Sequence, residues 1–429
     1  MKVLVVGSGG REHTIVWKLY QSEKVDKIYV APGNDGMIEL AERVNIEDNE
    51  IDKLADWVEE NNIDLTVVGP EGPLVEGIVD KFEKRGLKIF GPNQKAAMVE
   101  GSKVIAKNIL HKHNIPTAEY EVFTDSDRAI NYLEKIEYPV VIKAEGLAAG
   151  KGVKIATNKN EAKEEVNKLM EDRVFGDAGE RVVIEDFLEG EEVSILCLTD
   201  GENIIPLEPS QDHKAAFDGD EGPNTGGMGA YSPTPFISKK MEKEICENIL
   251  KPTITAFQKE GIDYKGILYA GLILTSGGPK VLEFNARLGD PEAQVILPRL
   301  ENDLVDLIDK VFTKEVDEID LEWDDRAAMC VVLASGGYPI TYETGFEIEG
   351  LDALKQYDNL LLFHSGTRLQ DGKYVTDGGR VLGLTVLGND LNDAYNQVYD
   401  YIDEVYFKDM HYRTDIGETA INEKGDINE

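Results

Sequence analysis

Short apolar runs alternate with polar, helix-compatible stretches along the first hundred residues of the chain. Four runs, at residues 3–6, 28–30, 65–68 and 87–90, have the length and the branched side chains of buried strands. The polar segments between them have the character of crossover helices, which parallel strands require. This order of elements predicts an N-terminal α/β unit, residues 1–101, built on a parallel sheet.

The next part of the chain begins with a predicted helix at residues 102–116. Four strand candidates then surround a glycine-rich loop, in the segments YPVVIK, GVKIA, RVVIEDFL and EVSILCLT, and we expect these four strands to form a lid. A long Gly/Pro-containing segment follows, and then the strands GILYAGLIL and KVLEFNA and a helical stretch. We expect residues 102–323 to form a central unit, with a smaller lobe at about residues 118–190.

Residues 324–429 contain two more apolar strand candidates, AAMCVVLAS and RVLGLTVLG, which predict a small C-terminal α/β unit. The 429 residues are too many for one ordinary hydrophobic core, so three packed units agree with the length. No stretch approaches the ~18 apolar residues of a membrane span, and MKVLVVG is typical of a first strand rather than of a secretory leader. The fold class is therefore multidomain α/β.

Charge and cysteine content narrow the classes of partner. The chain has 45 basic and 82 acidic residues, and its formal net charge of −37 would repel a nucleic-acid backbone. Small phosphates remain candidate ligands, because backbone N–H groups, a few lysines and a divalent cation can converge on them. Cys197, Cys246 and Cys330 lack the spacing of a zinc site or a disulfide framework. We expect a cytoplasmic protein with no nucleic-acid or membrane partner.

The loop GSGGREH follows the first strand and leads into a predicted helix. Backbone N–H groups at Gly9 and Gly10 can cradle an anion there, and a phosphate is the natural candidate. A dinucleotide site is disfavoured, because Glu12 stands where the fingerprint needs a third glycine and Ala31-Pro32-Gly33 stands where the second strand should end in an acidic residue. The alternative is a tight turn that serves helix–sheet packing.

A second glycine-rich loop, KAEGLAAGKG, runs from Lys143 to Gly152 between two strand candidates. Its small residues permit close approach to phosphates, and Lys143 and Lys151 supply positive charge. It is not a Walker A loop, because only three residues separate its first two glycines, Gly152 follows the lysine, and a strand comes next. We predict a flexible phosphate lid; the alternative is a hairpin with solvated lysines.

Glu283 and Asn285 are two residues apart on a predicted strand, so their side chains share one face. Both offer the hard oxygen ligands that Mg²⁺ prefers. Arg287 follows directly and can neutralise a transferring phosphoryl group, which makes it the candidate catalytic residue. The alternative for the acid–amide pair is ordinary polarity at a strand end.

Three further segments are rich in polar groups. Asp212 in QDHK can bind a substrate ammonium, and the glycines and the asparagine of GPNTGG can accept a carboxylate or phosphate. The loop GPEGP at residues 69–73 follows a strand and suits a ligand crevice. The connector at residues 184–192 can offer backbone hydrogen bonds to a purine and a carboxylate to a ribose. Surface loops and solvated turns are the competing readings of all three.

Taken together and in this order, several motifs of this chain resemble those of the phosphoribosylamine–glycine ligase family of the ATP-grasp superfamily. The motifs are GSGGREH, VAPGN, VVGPEGPLV, IKAEGLAAGKGV, SQDHK, GPNTGGMGAYSP, EFNARLGDPE, SGGYP and DGGRVLG, and the resemblance spans nearly the whole chain. It implies an ATP-grasp architecture with a nucleotide lid. It also implies an enzyme of purine synthesis that joins glycine to 5-phosphoribosylamine through glycyl phosphate and releases ADP and phosphate.

The resemblance further implies roles for particular residues, and a monomer. The ATP contacts would be Lys103, Lys143, Gly150, Lys151, Gly152, Glu185, Phe187, Leu188, Glu191 and Glu192. The ligands of Mg²⁺ (or Mn²⁺) would be Glu283 and Asn285. The substrate pocket would contain Gly9, Gly10, Glu71, Asp212, Asn224, Thr225, Gly226, Gly227, Arg287, Asp290 and Glu292, of which Arg287 and Asp212 are the catalytic candidates. Two positions depart from the family pattern, namely Ala215, where many relatives have arginine, and Leu288, where phenylalanine is common.

Two other functions remain open at this point. Another ATP-grasp ligase or carboxylase would keep Lys143, Glu283 and Asn285 but change the substrate pocket, and the Gly9-Gly10 loop argues against it. A nucleotide-responsive scaffold would close on ATP without turnover. The acid–amide pair together with Arg287 disfavours the scaffold.

Overall fold

Five parallel strands form the N-terminal sheet of the computed structural model, which describes residues 1–147 and 152–427. The sheet order is β3-β2-β1-β4-β5, and every neighbouring pair is parallel, as predicted. The strands are β1 Lys2–Gly7, β2 Lys27–Pro32, β3 Glu42–Arg43, β4 Leu65–Val68 and β5 Ile89–Phe90. The helices are α1 Gly10–Tyr20, α2 Ile51–Asn61, α3 Glu71–Val75, α4 Ile78–Lys84 and α5 Gln94–Gly101.

Strand β1 lies at the centre of this sheet and is buried on both faces. Val3, Leu4, Val5 and Val6 have no exposed surface, which explains the unbroken apolar run in the sequence. Their side chains alternate between two hydrophobic cores on opposite sides of the sheet. The loops that follow β1 and β4 therefore leave the same edge, where parallel α/β sheets bind ligands.

A four-stranded antiparallel sheet forms the lid lobe, in the order β6-β9-β7-β8. Helix α6, Lys103–Lys112, leads into this lobe. The remaining elements are β6 Tyr120–Phe123, α7 Ser126–Leu133, β7 Val140–Ala144, β8 Val153–Ala156, α8 Lys159–Met170 and β9 Val182–Asp186. Three of the four predicted lid strands are confirmed, but EVSILCLT is not part of this sheet. That segment is almost fully buried and pairs with a strand of the next sheet, whereas the half-exposed β6 was not predicted.

The central sheet is antiparallel and has the order β11-β10-β16-β17. The strands between residues 191 and 285 are β10 Glu191–Thr199, β11 Ile204–Pro206, β12 Gln211–Asp212, β13 Ala215–Phe217, β14 Glu221–Asn224, β15 Gly229–Ser232, β16 Gly266–Thr275 and β17 Gly278–Asn285. The helices are α9 Lys239–Ile245, a π-helical turn Cys246–Leu250, α10 Lys251–Lys259, α11 Ala293–Ile296 and α12 Leu304–Thr313. The segment predicted to be irregular thus contains several short strands.

Two of those short strands join the C-terminal sheet, whose order is β12-β15-β18-β22-β19. The remaining elements are β18 Ala327–Ala334, α13 Leu351–Leu354, β19 Leu360–His364, β20 Thr367–Gln370, β21 Lys373–Thr376, β22 Arg380–Gly388, α14 Leu391–Ile402 and α15 Glu418–Ile427. Within the described residues, no helix is long and apolar enough to cross a bilayer. The domain boundaries at residues 101 and 323 stay predictions.

Hydrophobic cores connect the three units. Leu4 of β1 packs in the same cluster as Phe257 of α10 and Phe284 of β17. On the other face of the N-terminal sheet, Val5 belongs to a cluster that also contains Leu198 of β10. Because apolar contact of this kind fixes neighbouring elements in place, the carboxyl edge of the first sheet is held against β17 and the residues that follow it.

Candidate active site

Glu283 and Asn285 point to the same side of β17, opposite Gly271 and Tyr269 of β16. A Cβ atom on Gly271 would lie 3.3 Å from Cγ of Glu283, so the glycine leaves room for this side chain. Among the described residues, none forms a hydrogen bond or an ion pair with either side chain. The structure thus places the predicted metal pair side by side, with oxygens that have no partner in residues 1–147 and 152–427.

Cations surround the Glu283 carboxylate. Burial alone would raise its pKa, but Lys214, Lys143, Lys103 and Arg287 outweigh burial and hold the pKa below the usual value. An ionised carboxylate beside an amide oxygen fits a Mg²⁺ or Mn²⁺ ion, which takes one or two protein ligands and fills its other positions with phosphate oxygens and water. No cluster of three or more His, Cys, Asp or Glu side chains suited to a metal occurs in the described part of the chain.

Two buried lysines meet one carboxylate in the lid lobe. Lys143 Nζ lies 3.1 Å, and Lys107 Nζ 2.8 Å, from Oε2 of Glu185. Burial would raise the pKa of Glu185, but the two lysines lower it below its usual value. Lys103 lies on the same helix as Lys107, and burial lowers its pKa. These contacts gather three predicted ATP residues, together with the unpredicted Lys107.

The lid loop itself is only partly described. Gly150 and Lys151 lie outside the described residues, so their predicted phosphate contacts stay predictions. Gly152 is buried, and its carbonyl accepts a hydrogen bond from Ala144 N at 2.8 Å, which closes the β7–β8 turn.

The connector between β9 and β10 begins two residues after Glu185. Phe187 is 39% exposed and Leu188 is half-buried, so both can be reached by a ligand. Glu191 accepts from Gln211 Nε2 at 3.5 Å, and Glu192 lies 3.5 Å from Lys214 Nζ. Lys214 was not predicted, although it belongs to the QDHK motif.

Arg287 lies between two carboxylates. Its Nη2 atom donates to Glu100 Oε1 at 2.8 Å, and its Nε atom donates to Glu71 Oε2 at 3.3 Å. Glu100 also accepts from Ala286 N at 2.6 Å. Burial raises the pKa of Glu100 to about 7 despite the opposing charge of Arg287. Sequence reasoning found Arg287 and Glu71 but missed Glu100, which lies inside an ordinary helix.

Asp212 and Glu292 form a second acidic pair, in which Glu292 is buried and Asp212 is half-buried. Oδ1 of Asp212 has no hydrogen-bond partner in the described residues, and burial followed by Glu292 raises its pKa well above the ordinary value. Glu292 Oε1 accepts from Tyr269 OH at 2.6 Å and from Ser194 Oγ at 3.2 Å. Lys214 and Arg380 oppose this increase in the pKa of Asp212, and a bound cation would oppose it further, with Asp212 Oδ1 as its acceptor.

Arg380 of β22 ties the C-terminal unit to this pocket, and it was not predicted. Its Nη1 atom donates to the carbonyls of Gly226 and Asp290, each at 2.8 Å, and its Nη2 atom lies 3.2 Å from Asp290 Oδ2. Burial would raise the pKa of Asp290, but Arg380 and Arg11 lower it. An arginine after two glycines at the start of a strand was the available sequence signal.

The loop at residues 224–227 is held by hydrogen bonds to neighbouring segments and by one bond of its own. Thr225 Oγ1 donates to the carbonyl of Lys214 at 2.8 Å and accepts from Gly227 N at 2.9 Å. Asn224 pairs with Ala215 in the β13–β14 hairpin. Thr225 therefore shapes the loop, while Asn224 and the two glycines remain the candidates for direct ligand contact.

The start of α1 is covered by the central and C-terminal units. A Cβ atom on Gly10 would lie 2.6 Å from Gln294 Nε2 and 2.7 Å from Ser365 Oγ, so a larger residue there would displace these two side chains. Gly9 N donates to Glu12 Oε2 at 2.6 Å, so this N–H already has a partner inside the loop. The sugar-phosphate contact of Gly9 and Gly10 stays a prediction.

Comparison with known proteins agrees with this arrangement along the whole chain. Residues 1–100 match the phosphoribosylglycinamide synthetase N domain, residues 101–293 its ATP-grasp (A) domain and residues 328–419 its C domain. The chain belongs to the phosphoribosylamine–glycine ligase family. This membership confirms the predicted family, the α/β ATP-grasp architecture and the class of ATP-using ligase.

Individual relatives of the phosphoribosylamine–glycine ligase family match over nearly their full length. The ligase of Caldanaerobacter subterraneus subsp. tengcongensis is 53% identical over 416 residues, which cover 97% of this chain and 99% of that protein. The ligase of Halalkalibacterium halodurans is 51% identical over 424 residues, covering 99% and 98%. The crystal structure of the Thermotoga maritima phosphoribosylamine–glycine ligase has a TM-score of 0.83 at 34% identity, covering 97% of this chain and 100% of that one.

The two departures from the phosphoribosylamine–glycine ligase pattern are both buried. Ala215 is 7% exposed, and its carbonyl accepts from Nη1 of the buried Arg413 at 3.4 Å. Arg413 also pairs with Asp220 and Asp415. Leu288 lines an apolar cavity of about 20 Å³ between the N-terminal sheet and α12. Ala215 thus packs against the buried Arg413, and Leu288 packs in the apolar core.

Two neutral histidines join α1 to β19, and we expect them to make stability depend on pH. Backbone N of His364 donates to His13 Nδ1 at 2.9 Å. Burial lowers the pKa of His13 from 6.5 to about 3 and that of His364 to about 4. The unfolded chain therefore binds protons first as the pH falls. The stability that these neutral rings contribute is fully present above about pH 6.5 and is lost towards pH 4, by up to about 1.4 kcal/mol per pH unit for each ring.

His13→Asn tests this expectation, because asparagine keeps a hydrogen-bond acceptor but does not titrate. Urea unfolding midpoints at pH 7.5 and 5.5 should differ less in this variant than in the wild type. His111→Asn, at an exposed histidine of α6, is the control. An unchanged pH dependence in His13→Asn would contradict the expectation.

Proposed function

We propose that this chain joins glycine to 5-phosphoribosylamine with ATP and releases glycinamide ribonucleotide, ADP and phosphate. The observation that carries the proposal is the unpartnered Glu283 and Asn285 pair, set among Lys103, Lys143, Lys214 and Arg287. Such an arrangement suits a metal-bound nucleoside triphosphate whose γ-phosphoryl group is transferred. Identity of about 50% to named ligases over the full length supports the choice of substrates.

The first step activates glycine, because a carboxylate is too poor an acyl donor to react with an amine directly. The γ-phosphoryl group passes to the glycine carboxylate and gives glycyl phosphate. Lys143 and Lys214 hold the phosphates, and Arg287 stabilises the charge that develops during transfer. When bound at Glu283 and Asn285, Mg²⁺ or Mn²⁺ supplies further neutralisation of phosphate charge.

Asp212 and Glu292 are proposed to receive the ammonium group of glycine. Burial and the charge of Glu292 raise the pKa of Asp212 more than Lys214 and Arg380 lower it, and Asp212 Oδ1 has no hydrogen-bond partner in the described residues. A bound ammonium would favour the ionised form of Asp212 and orient the glycine carboxylate away from the acidic pair. Thr225 and Arg380 would keep the loop at residues 224–227 beside it.

The second step is attack of the ribosylamine nitrogen on glycyl phosphate, with loss of phosphate. Arg287, held by Glu71 and Glu100, stabilises the oxyanion that forms at the acyl carbon. The lid lobe keeps water from the anhydride while it waits for the amine. We further propose that the protein acts as a monomer in the cytoplasm, where its three free cysteines stay reduced.

ADP release is the test of this proposal. It is measured with Mg·ATP, glycine and freshly generated phosphoribosylamine, each omitted in turn, with the product identified by mass. We expect release to require all three and glycinamide ribonucleotide to appear. ADP formed with a different acid or amine would indicate another ATP-grasp ligase, and ATP binding without any turnover would indicate a nucleotide-responsive scaffold.

A further inference from the structure

Lys107 is a buried lysine that has no role in the reaction described above. Its side chain is 3% exposed on α6, a helix that packs against α5, α10 and β17, and it reaches Glu185 of the lid strand β9. Its Nζ atom donates to Thr117 Oγ1 at 2.7 Å, and that hydroxyl donates to the carbonyl of Val281 at 2.7 Å. Lys107 is therefore fixed between the lid lobe and the strand that carries the metal pair.

The contact of Lys107 with Glu185 is asymmetric. Lys107 and Lys143 both approach the same carboxylate oxygen, Oε2, at 2.8 and 3.1 Å. The other oxygen, Oε1, is buried and has no hydrogen-bond partner among the described residues. A buried acceptor without a partner costs about 1–3 kcal/mol, so Oε1 is set to accept a hydrogen bond from a ligand.

We propose that Lys107 is a positioning residue for nucleotide specificity: it holds Glu185 ionised and fixed through Oε2, so that Oε1 accepts the exocyclic amino group of a 6-aminopurine and rejects a 6-keto purine. This inference rests on the proposed function, in which the base of ATP lies at the β9–β10 connector. Lys107 itself does not touch the nucleotide.

The discrimination follows from the chemistry of the two groups. An ionised carboxylate can only accept hydrogen bonds, so it pairs with the N–H of adenine at position 6. The keto oxygen of hypoxanthine or guanine would face Oε1 with no proton between them, and both acceptors would be left buried and unpaired. Sites built in this way reject the mismatched partner strongly.

Positive charge near Glu185 is what keeps it in the acceptor-only state. Burial alone would favour its protonated form, which can donate to a keto oxygen, but Lys143 and Lys107 reverse that preference. Lys143 also has the phosphates to hold, so Lys107 is the cation dedicated to Glu185. Burial lowers the pKa of Lys107 to about 8, and the Glu185 carboxylate opposes that decrease.

The test compares ATP with inosine triphosphate, which differs at position 6, in the full-length protein. Wild type should prefer ATP by ~100-fold or more in kcat/KM. In Lys107→Met we expect that preference to fall at least ~10-fold, mainly through the KM for ATP. Lys95→Met should leave the preference unchanged, because the exposed ammonium of Lys95 donates to the carbonyls of Glu260 and Gly261.

Glu185→Gln and Lys107→Arg provide independent arms if Lys107→Met does not fold. Glutamine can donate to a keto oxygen, so the variant should accept inosine triphosphate relatively better. Arginine keeps the positive charge, but its fork can span both carboxylate oxygens and occupy Oε1, so its affinity for ATP should fall. A role in charge compensation alone would leave Lys107→Arg with wild-type selectivity.

Binding of both nucleotides, measured by calorimetry without glycine or amine, separates this inference from the ligase assignment. A protein that makes no glycinamide ribonucleotide but shows the expected selectivity changes in binding would overturn only the proposed reaction. Equal loss of ATP and inosine triphosphate binding in folded Lys107→Met would overturn the positioning role.

Discussion

Replacing Glu283 by glutamine is expected to lower turnover by ~100-fold or more at limiting Mg²⁺. The amide keeps the shape of the side chain, but it removes the negative charge that Lys103, Lys143 and Lys214 now hold ionised. The metal would lose its charged ligand and keep only the amide of Asn285. Initial rates measured over a Mg²⁺ titration check this expectation.

Glu60→Gln is the matched control for this experiment, because Glu60 is an exposed glutamate on α2. Its rates should follow the wild-type Mg²⁺ curve. Wild-type activity of Glu283→Gln at limiting Mg²⁺ would remove Glu283 from the metal site.

Replacing Arg287 by methionine is expected to reduce kcat by ~1,000-fold and to destabilise the fold by about 3–5 kcal/mol. The rate falls because the developing phosphoryl and acyl charges lose their guanidinium. Stability falls because Glu71 and Glu100 would both remain in the pocket without the cation they share. Single-turnover kinetics and urea unfolding measure the two effects separately.

Two further variants show whether the effects of Arg287→Met come from the lost charge or from the lost geometry. Arg287→Lys keeps one positive charge but cannot span two carboxylates, so it should recover part of the stability and little of the rate. Arg85→Met is the control, since Arg85 also joins two acidic residues, Glu59 and Asp56, but at the surface. Its urea unfolding midpoint should stay close to that of the wild type, because exposed ion pairs contribute little to stability. Full activity of Arg287→Lys would show that the paired geometry is unimportant.

Elements with an unbroken apolar run were predictable from the sequence. β1 is such a run, because a central parallel strand is covered on both faces. The segment at residues 191–199 was recognised as a strand but assigned to the wrong sheet. Its apolar pattern shows that the strand is buried, but it does not show that the strand pairs with β16, which begins at Gly266. β6 was missed because four half-exposed residues show no clear alternation.

The candidate site divides in the same way between local and distant signals. Glu283, Asn285 and Arg287 were found because their chemistry follows from spacing along one strand. Arg380 was missed because its contacts at Gly226 and Asp290 are 154 and 90 residues away along the chain. Lys107 had a weak local signal, as it lies four residues after Lys103 on the same helical face, but spacing alone does not reveal that it meets Glu185.

The placement of β15 restricts how this protein can be divided or recombined. β15 comes from the middle of the chain and pairs with β18, although the family A and C domains are separated between residues 293 and 328. A fragment that begins at residue 324 would lack β12 and β15, and the open edge of β18 would be free to pair with other chains. An exchange of the C-terminal unit between homologues must therefore include residues 211–232. The exchanged part would then consist of two separate segments of the gene.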